Sequence, residues 1–149
     1  MSIDRFIGFK KALEHYKIPF HKEWCLVCEE DRFEKGFENA KKLLKIAPEV
    51  DGLFSITDST AIGAIHYFKK YGLNIPKDIA VIGFSNWKIS ALTSPSLSSI
   101  EQNGFIMGKK VIEVFTKIQE SKSEEKEEFT TTLIPVQLCI RESSLKIKT

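Results

Sequence analysis

Three short polar stretches, each directly after an apolar run, hold the side chains of this sequence best suited to contact a small molecule. They are Glu29 to Asp31 after WCLVC, Thr57 to Ser59 after LFSI, and Ser85 with Asn86 after IAVIGF. Together their carboxylates, hydroxyls and amide can accept and donate hydrogen bonds, which suits a polar ligand. If the apolar runs are parallel strands, their carboxyl ends meet at one edge and bring these stretches together. The alternative is that Asp31 and Asp58 cap helices and Asn86 occupies a left-handed turn.

Cys25 and Cys28 form a C-x-x-C pair, but the surrounding pattern does not favour redox or zinc chemistry. The pair lies within WCLVCE, which is typical of a strand, and an odd offset in a strand sends two thiols to opposite faces. A redox pair needs its first thiol at a helix N-terminus, and one such pair is too little for a zinc site. With Cys139 the count is three, too few for a disulfide framework. We interpret these residues as inert buried thiols in a reducing cytoplasm.

The sequence contains none of the short motifs that mark several large enzyme classes. It has no G-x-S-x-G, no P-loop, no H-E-x-x-H and no G-x-G-x-x-G. Its histidines show no metal-ligand spacing: they are His15, His21 and His66. We therefore expect a protein that is not an enzyme and that uses no metal and no cofactor.

Length and charge narrow the classes of protein that remain possible. With 149 residues the chain is long enough for one domain with a real core. Its 22 basic and 20 acidic residues are spread along the chain and give a net charge of +2, which provides no electrostatic basis for binding nucleic acid or a membrane. No apolar run approaches the roughly 20 residues that span a bilayer, and the amino terminus does not resemble a secretory signal. We expect a cytoplasmic protein.

The hydrophobic period alternates between about 3.6 and 2 along the chain, which predicts alternating helices and strands. Helices are predicted over residues 4–16, from an N-cap at Asp31 to Pro48, from a cap at Asp58 to Gly72, and over 104–120. Strands are predicted over residues 24–28, 53–56, 79–82 and 97–102, and one or two more over 130–140, after a solvated charge run at 121–128. Short strand–helix–strand units of this kind predict an α/β domain with a parallel sheet.

The order of six motifs resembles the LacI/GalR family of bacterial transcription regulators. The motifs are RFIGFKKAL, GFENAKKLL, DGLFSITDSTAIGAI, IPKDIAVIGFSN, SPSLSSIEQNGFIMG and the terminal IRESS. Each motif alone is weak, but the series runs over nearly the whole chain at similar spacings. The resemblance implies a type I periplasmic-binding-protein-like fold, in which two α/β subdomains hold a ligand in the cleft between them.

The resemblance also implies a domain map, in which this chain is the carboxyl-terminal part of a ligand-binding core. Residues 1–102 correspond to the second subdomain, 103–121 to a crossover helix and 129–144 to a returning strand. The DNA-binding head, the hinge and the first strands of the core have no counterpart, so we expect an incomplete core from a truncated chain or a gene fragment. The alternative is part of a periplasmic-type solute-binding protein.

The resemblance assigns the effector, a sugar or nucleoside-like molecule, to residues at the strand ends. The ligand-binding candidates are Arg5, Asp31, Phe33, Thr57, Asp58, Ser85, Asn86 and Gln102. Arg5 matches an arginine that forks onto ligand oxygens, although it could instead pair with Asp4, and Gln102 could instead bond the crossover backbone. Ser85 stands where many members have aspartate.

Two further expectations concern partners. Ile62 and Leu92 match positions of the family's dimer interface, so a homodimer is expected, with DNA bound only through the head that has no counterpart here. The helix at 104–120 carries an apolar stripe whose docking surface lies on the missing subdomain. We expect this helix to fold back onto its own subdomain or to pair with another chain.

Overall fold

A computed structural model describes residues 3–28, 30–120 and 131–145 of the chain. These ranges contain four α-helices and four short strands, and two 3-10 turns lie at Lys22–Trp24 and Lys88–Ala91. The elements in chain order are α1 (Ile3–His15), α2 (Phe33–Ile46), β1 (Gly52–Phe54), α3 (Asp58–Lys70), β2 (Ala80–Ile82), β3 (Ser99–Glu101), α4 (Gly104–Glu120) and β4 (Gln137–Cys139). The predicted α/β class is confirmed.

The parallel sheet forms because three apolar segments run side by side. β1 pairs with β2 in parallel, with Leu53 opposite Val81, and a parallel bridge joins Ile82 to Ser98 just before β3. The backbone ladder continues past the strands, because the Ser85 N–H donates to the Ile100 carbonyl over 2.9 Å. The carboxyl ends of all three segments therefore lie next to one another, as the sequence pattern predicts.

α2 and α3 pack so closely that only glycine fits at two contact points. A β-carbon on Gly36 would overlap the Thr60 carbonyl, and one on Gly63 would overlap the Phe33 carbonyl. This reciprocal approach brings the first turns of the two helices together beside the sheet. Buried apolar side chains behind them form the core: Ala40, Ala61, Ala64, Ile65, Tyr67, Phe68, Ile79, Val81 and Leu97.

The carboxyl-terminal segment completes the sheet region without forming a long strand. β4 pairs antiparallel with β3, and the chain then passes beside β2. Ser143 is fully buried: its carbonyl accepts from Val81 N–H over 2.8 Å, and its hydroxyl donates to the Val81 carbonyl over 2.6 Å. The Ser143 N–H donates to the Ser96 carbonyl over 2.9 Å, so this segment fastens β2 to the approach of β3.

The expected strand at 24–28 is wrong. A 3-10 turn ends at Trp24, where the Cys25 N–H bonds the Lys22 carbonyl over 3.1 Å, and residues 25–28 have no strand partner among the residues that the structure describes. The apolar pattern was typical of a strand, but a strand also needs a neighbouring backbone, and here the Asn39 side chain meets the Val27 carbonyl instead. Cys25 and Cys28 are consequently half-buried, where we expected buried thiols.

Two helix starts differ from the expected caps. The N-cap of α2 is Arg32, which makes no side-chain cap bond, and Asp31 lies outside the helix. The N-cap of α3 is Thr57, whose hydroxyl accepts from the Thr60 N–H, so Asp58 is the first helical residue. Each helix start is shifted by one residue, and at α3 the cap is possible because threonine is also among the preferred N-cap residues.

α4 does not fold back onto the body of the protein, so the first of the two expected alternatives is wrong, and pairing with another chain stays a prediction. None of its residues is buried, and Phe105 is 84% exposed. Only Gln102 and Asn103 separate β3 from α4, so the helix begins at the carboxyl edge of the sheet, and its apolar side chains are left uncovered by the described residues. The charge run at 121–128 and residue 130 lie outside the described residues.

The glycine contacts between α2 and α3 give a first prediction. Gly36→Ala should lower the free energy of unfolding by about 1–3 kcal/mol, because a methyl group cannot enter without moving the Thr60 backbone. Chemical denaturation monitored by circular dichroism measures this change. Gly8→Ala is the matched control, since a β-carbon there meets nothing within 4 Å in α1 and should leave stability unchanged or slightly higher. Equal stability of the two variants would contradict the packing.

Candidate ligand-binding site

Arg5 projects from the first turn of α1 onto the carboxyl edge of the sheet. Its guanidinium donates to the Ile56 carbonyl over 2.7 Å and to the Gln102 side-chain oxygen over 3.4 Å. The same group lies 3.8 Å from the centre of the Phe84 ring, which supports it from one side as a cation–π contact. Arg5 therefore touches the segments that follow β1, β2 and β3, and pairing with Asp4 does not account for its position.

Gln102 extends this line of polar groups to Ser85. Its side-chain nitrogen donates to the Ser85 hydroxyl over 3.0 Å, while its oxygen faces Arg5. Ser85 has a φ of 115°, a left-handed conformation that is unusual for a residue with a β-carbon. Arg5, Gln102 and Ser85 thus form a continuous row. We call this row, together with Thr57 and Asp31 at the start of α3, the polar edge.

Thr57 and Asp31 end a chain of hydroxyl groups at the start of α3. The Thr57 hydroxyl donates to an Asp31 carboxylate oxygen over 2.5 Å and lies 2.7 Å from the Thr60 hydroxyl, which in turn lies 2.6 Å from that of Ser55. Because the Thr57 hydroxyl donates its proton to Asp31, this series of hydrogen-bonded hydroxyls is oriented toward the exposed carboxylate. Asp31 therefore keeps a defined position although it lies outside α2.

Asp58 lies beneath the edge rather than on it. Its side chain is 1% exposed, and its two carboxylate oxygens accept from the Trp87 N–H (2.8 Å), the Ser90 hydroxyl (2.7 Å) and the Ser99 hydroxyl (2.5 Å). Gly83 passes so close that any side chain there would meet this carboxylate. The structure thus corrects its role from ligand contact to a buried support, because a ligand in solution does not reach it.

Asn86 and Phe33 also differ from their expected placement. The Asn86 side chain is engaged at both ends, accepting from Arg141 over 2.7 Å and donating to Glu101 over 2.9 Å. Phe33 is half-exposed on the first turn of α2, where its ring lies 5.5 Å from that of His66 and packs over α3. Neither side chain is in hydrogen-bond or ring contact with the row from Arg5 to Ser85 in the described part of the chain.

The two expected dimer positions lie on different elements. Ile62 is half-buried on α3 and packs partly against the core. Leu92 follows the second 3-10 turn and is 78% exposed.

Sequence reasoning missed the residues that support the edge from the third strand and the carboxyl-terminal segment. Ser99, Glu101 and Arg141 all bond groups at the edge, yet none stands in a motif that names its partner. Asn86 donates to Glu101 and the Asn103 N–H adds a second bond, and together they lower the pKa of this carboxyl. The available signal was the resemblance itself, because SPSLSSIEQNGFIMG includes Ser99 and Glu101 and IRESS includes Arg141.

Burial raises the pKa of the Cys25 and Cys28 thiols, which favours the unreactive protonated form at neutral pH. Among the described residues, His, Cys, Asp and Glu side chains form no group of three that could hold a metal ion. No helix in the described ranges is both long and apolar enough to cross a membrane.

The fold and the polar edge at the strand ends are typical of periplasmic-binding-protein-like domains, and comparison with known proteins agrees with this class. The model of the periplasmic binding protein-like domain matches residues 1–144, so the chain belongs to this family. Within it, the chain corresponds to the carboxyl-terminal core portion of LacI-family regulators, as the order of motifs predicts.

Individual relatives support this placement. The chain is 30% identical over 141 residues to the HTH-type transcriptional repressor PurR of Haemophilus influenzae, covering 93% of this chain and 41% of that protein. A LacI-family regulatory protein from Chloroflexus aggregans is 31% identical with a TM-score of 0.82, covering 95% of this chain and 50% of that one. A LacI-family regulator from Enterococcus faecium, with bound ribose, is 29% identical with a TM-score of 0.76, covering 97% and 52%. The chain spans 33–42% of the length of the curated relatives it matches.

The buried Asp58 carboxylate gives a second prediction. Asp58→Asn should lower the free energy of unfolding by about 1–3 kcal/mol, because the amide has one acceptor oxygen in place of two and lacks the charge that strengthens the three bonds. Urea denaturation measures the loss. Asp4→Asn makes the same chemical change on the exposed first turn of α1 and should cost far less. If Asp58→Asn were as stable as Asp4→Asn, the buried support would be refuted.

Proposed function

We propose that this chain is the effector-binding part of a LacI-family transcription regulator and that its effector is a neutral polyhydroxylated molecule, either a sugar or a nucleoside. The observation that carries the proposal is the row from Arg5 through Gln102 to Ser85, which crosses the ends of three parallel segments. Ligands of open α/β sheets bind at such ends, because side chains from several strands converge there.

The groups along the edge suit hydroxyl ligands. Arg5 offers a planar set of donors, Ser85 and Thr57 offer hydroxyls, and the exposed Asp31 carboxylate accepts from an O–H. One cation and one carboxylate on the edge balance each other, which favours a neutral ligand over a strongly charged one. The ribose bound by the Enterococcus faecium regulator supports a sugar of this kind.

Ser85 bears on affinity. Where the resemblance expects an aspartate that could bind two hydroxyls, Ser85 provides one hydroxyl that already accepts from Gln102. The carboxylate of this edge is instead Asp31, held by Thr57. A hydroxyl of the effector would therefore donate to a carboxylate at the α3 end of the edge, that of Asp31.

In the whole protein we propose that effector binding changes how a DNA-binding part is presented, a coupling between two separate sites. Relatives named as transcriptional repressors favour this role over both an enzyme and a solute-binding protein of transport. We also propose that the protein forms a dimer through the surface that includes Leu92. We propose the cytoplasm as its location.

A titration of the isotope-labelled chain with D-ribose and with nucleosides, followed by amide NMR shifts, tests the site. We expect weak binding with a Kd of about a millimolar, because the edge is one wall of a cleft, and shifts centred on residues 5, 31, 56–58, 84–86 and 102. Arg5→Lys should weaken binding about tenfold, since one ammonium cannot replace a planar fork. Lys11→Arg, an exposed swap on α1, should leave the affinity unchanged. Shifts centred elsewhere, or an unaffected Arg5→Lys, would contradict the proposal.

The proposed dimer has its own test. Static light scattering should give a mass near twice 17.0 kDa for the unaltered chain and near 17.0 kDa for Leu92→Lys, because a buried ammonium would oppose association. Val27→Lys is the matched control, since Val27 is 77% exposed against 78% for Leu92 and should leave the mass unchanged. A strict monomer before any substitution would refute the interface.

A further inference from the structure

Three of the four non-glycine residues with a positive φ in the described ranges lie at the carboxyl edge of the sheet, beside the polar edge. Ser85, Asn86 and Asn103 have φ values of 115°, 49° and 55°, and the fourth, Lys17, follows α1. Side chains disfavour this backbone region, so such residues persist where their surroundings fix them, and they are common at ligand clamps.

The Asn86 side chain is held between two charged groups from different segments. Arg141 donates to its oxygen over 2.7 Å, and its nitrogen donates to Glu101 over 2.9 Å. The Asn86 backbone N–H also donates to the Ser99 hydroxyl over 3.0 Å. We call Arg141, Asn86 and Glu101 the Asn86 clamp.

Both charged members of the clamp are themselves fixed. Arg141 uses its second terminal nitrogen on the Leu97 carbonyl (2.6 Å), and its backbone N–H donates to the Ser98 hydroxyl (2.7 Å). The other Glu101 oxygen accepts from the Asn103 N–H over 2.9 Å, at the residue before α4. The clamp thus connects the turn after β2 to the residues that enter and leave the α4 crossover.

We infer that Arg141 and Glu101 are positioning residues for effector binding, which hold Asn86 so that the adjacent Ser85 hydroxyl stays in reach of Gln102. The inference rests on the proposed function of the edge. It also assigns Asn86 a different role from the expected one, because its side-chain oxygen and nitrogen already have protein partners. The ligand contact at this turn then belongs to Ser85.

A simpler reading is that Arg141 only fastens the carboxyl-terminal segment to Leu97 and Ser98. The two readings differ in what happens to groups that Arg141 does not touch. A fastening role would change stability alone. A positioning role would also change the Glu101 carboxyl and the Gln102 amide, because both depend on where Asn86 and Ser85 lie.

The test is a ligand-free NMR titration of the Glu101 carboxyl in four chains: unaltered, Arg141→Gln, Asn86→Gly and the double variant. Glycine at position 86 removes the side chain without strain, because it tolerates a positive φ. The bond from Asn86 lowers the pKa of Glu101, while the Asn103 and Gln102 N–H groups also face it and its cross-strand neighbour Gln137 is neutral. Arg141→Gln should therefore raise this pKa toward its ordinary range.

The double variant separates an effect that Arg141 exerts by positioning Asn86 from a direct effect of the Arg141 charge. If Arg141 acts through Asn86, Arg141→Gln raises the pKa of Glu101 in the unaltered chain and leaves it unchanged when position 86 is glycine. Equal rises in both backgrounds would show a direct effect of the guanidinium charge and would overturn the inference, as would no rise in either. Lys45→Gln, which removes one exposed cation from the last turn of α2, is the control and should leave Glu101 unchanged.

Two further readouts keep the inference testable if Arg141→Gln fails to fold. The side-chain NH2 resonances of Gln102 report its bond to Ser85 and should shift in Asn86→Gly, and unchanged resonances would overturn the clamp. The affinity for D-ribose should fall about tenfold in each folded clamp variant but not in Lys45→Gln. Failure of the unaltered chain to bind ribose or nucleosides would refute the proposed function instead, because the Glu101 and Gln102 measurements need no ligand.

Discussion

The arrangement of this protein depends on one buried carboxylate at the end of the sheet. Asp58 is placed by the start of α3, directly after β1, and accepts hydrogen bonds from Trp87 after β2 and from Ser99 in β3. Three segments that are distant in sequence are thereby fixed to one group. Since the charge has little access to water, its three donors must all be in place, which makes the turn from Ser85 to Ser90 a defined structure rather than a variable loop.

The close packing of α2 against α3 also supports this geometry. Gly36 and Gly63 let α2 and α3 approach until their backbones touch, which brings Asp31, just before α2, within reach of Thr57 at the cap of α3. The exposed polar groups of the edge therefore rest on two different supports. Arg5 and Ser85 depend on the sheet and on Phe84, whereas Asp31 depends on helix packing. A substitution far from any ligand could disturb one half of the edge and leave the other intact.

Much of the fold could be predicted because its signals are local. The helices and the parallel strand order follow from hydrophobic period, and the terminator Gly72 has the expected positive φ of 85°. The errors concern properties that a local pattern does not contain. Residues 24–28 have the composition of a strand without a partner backbone, and the caps at Arg32 and Thr57 differ by one residue from their expected positions. The role of Arg141 was beyond prediction, since its partner Asn86 lies 55 positions earlier and nothing in the intervening sequence relates the two.

The buried Ser143 has a consequence for how the protein is made. Its hydroxyl bonds the Val81 carbonyl across 62 positions of sequence, and its backbone joins Val81 to Ser96. A ribosome synthesises β1, β2 and β3 well before it reaches this serine. During that part of translation the backbone groups of β2 that bond Ser143 remain unpaired. Closing a loop of that length is slow compared with helix formation. The nascent chain thus spends its most aggregation-prone interval with helices formed and the sheet unfinished, until the segment that holds Ser143 has been made.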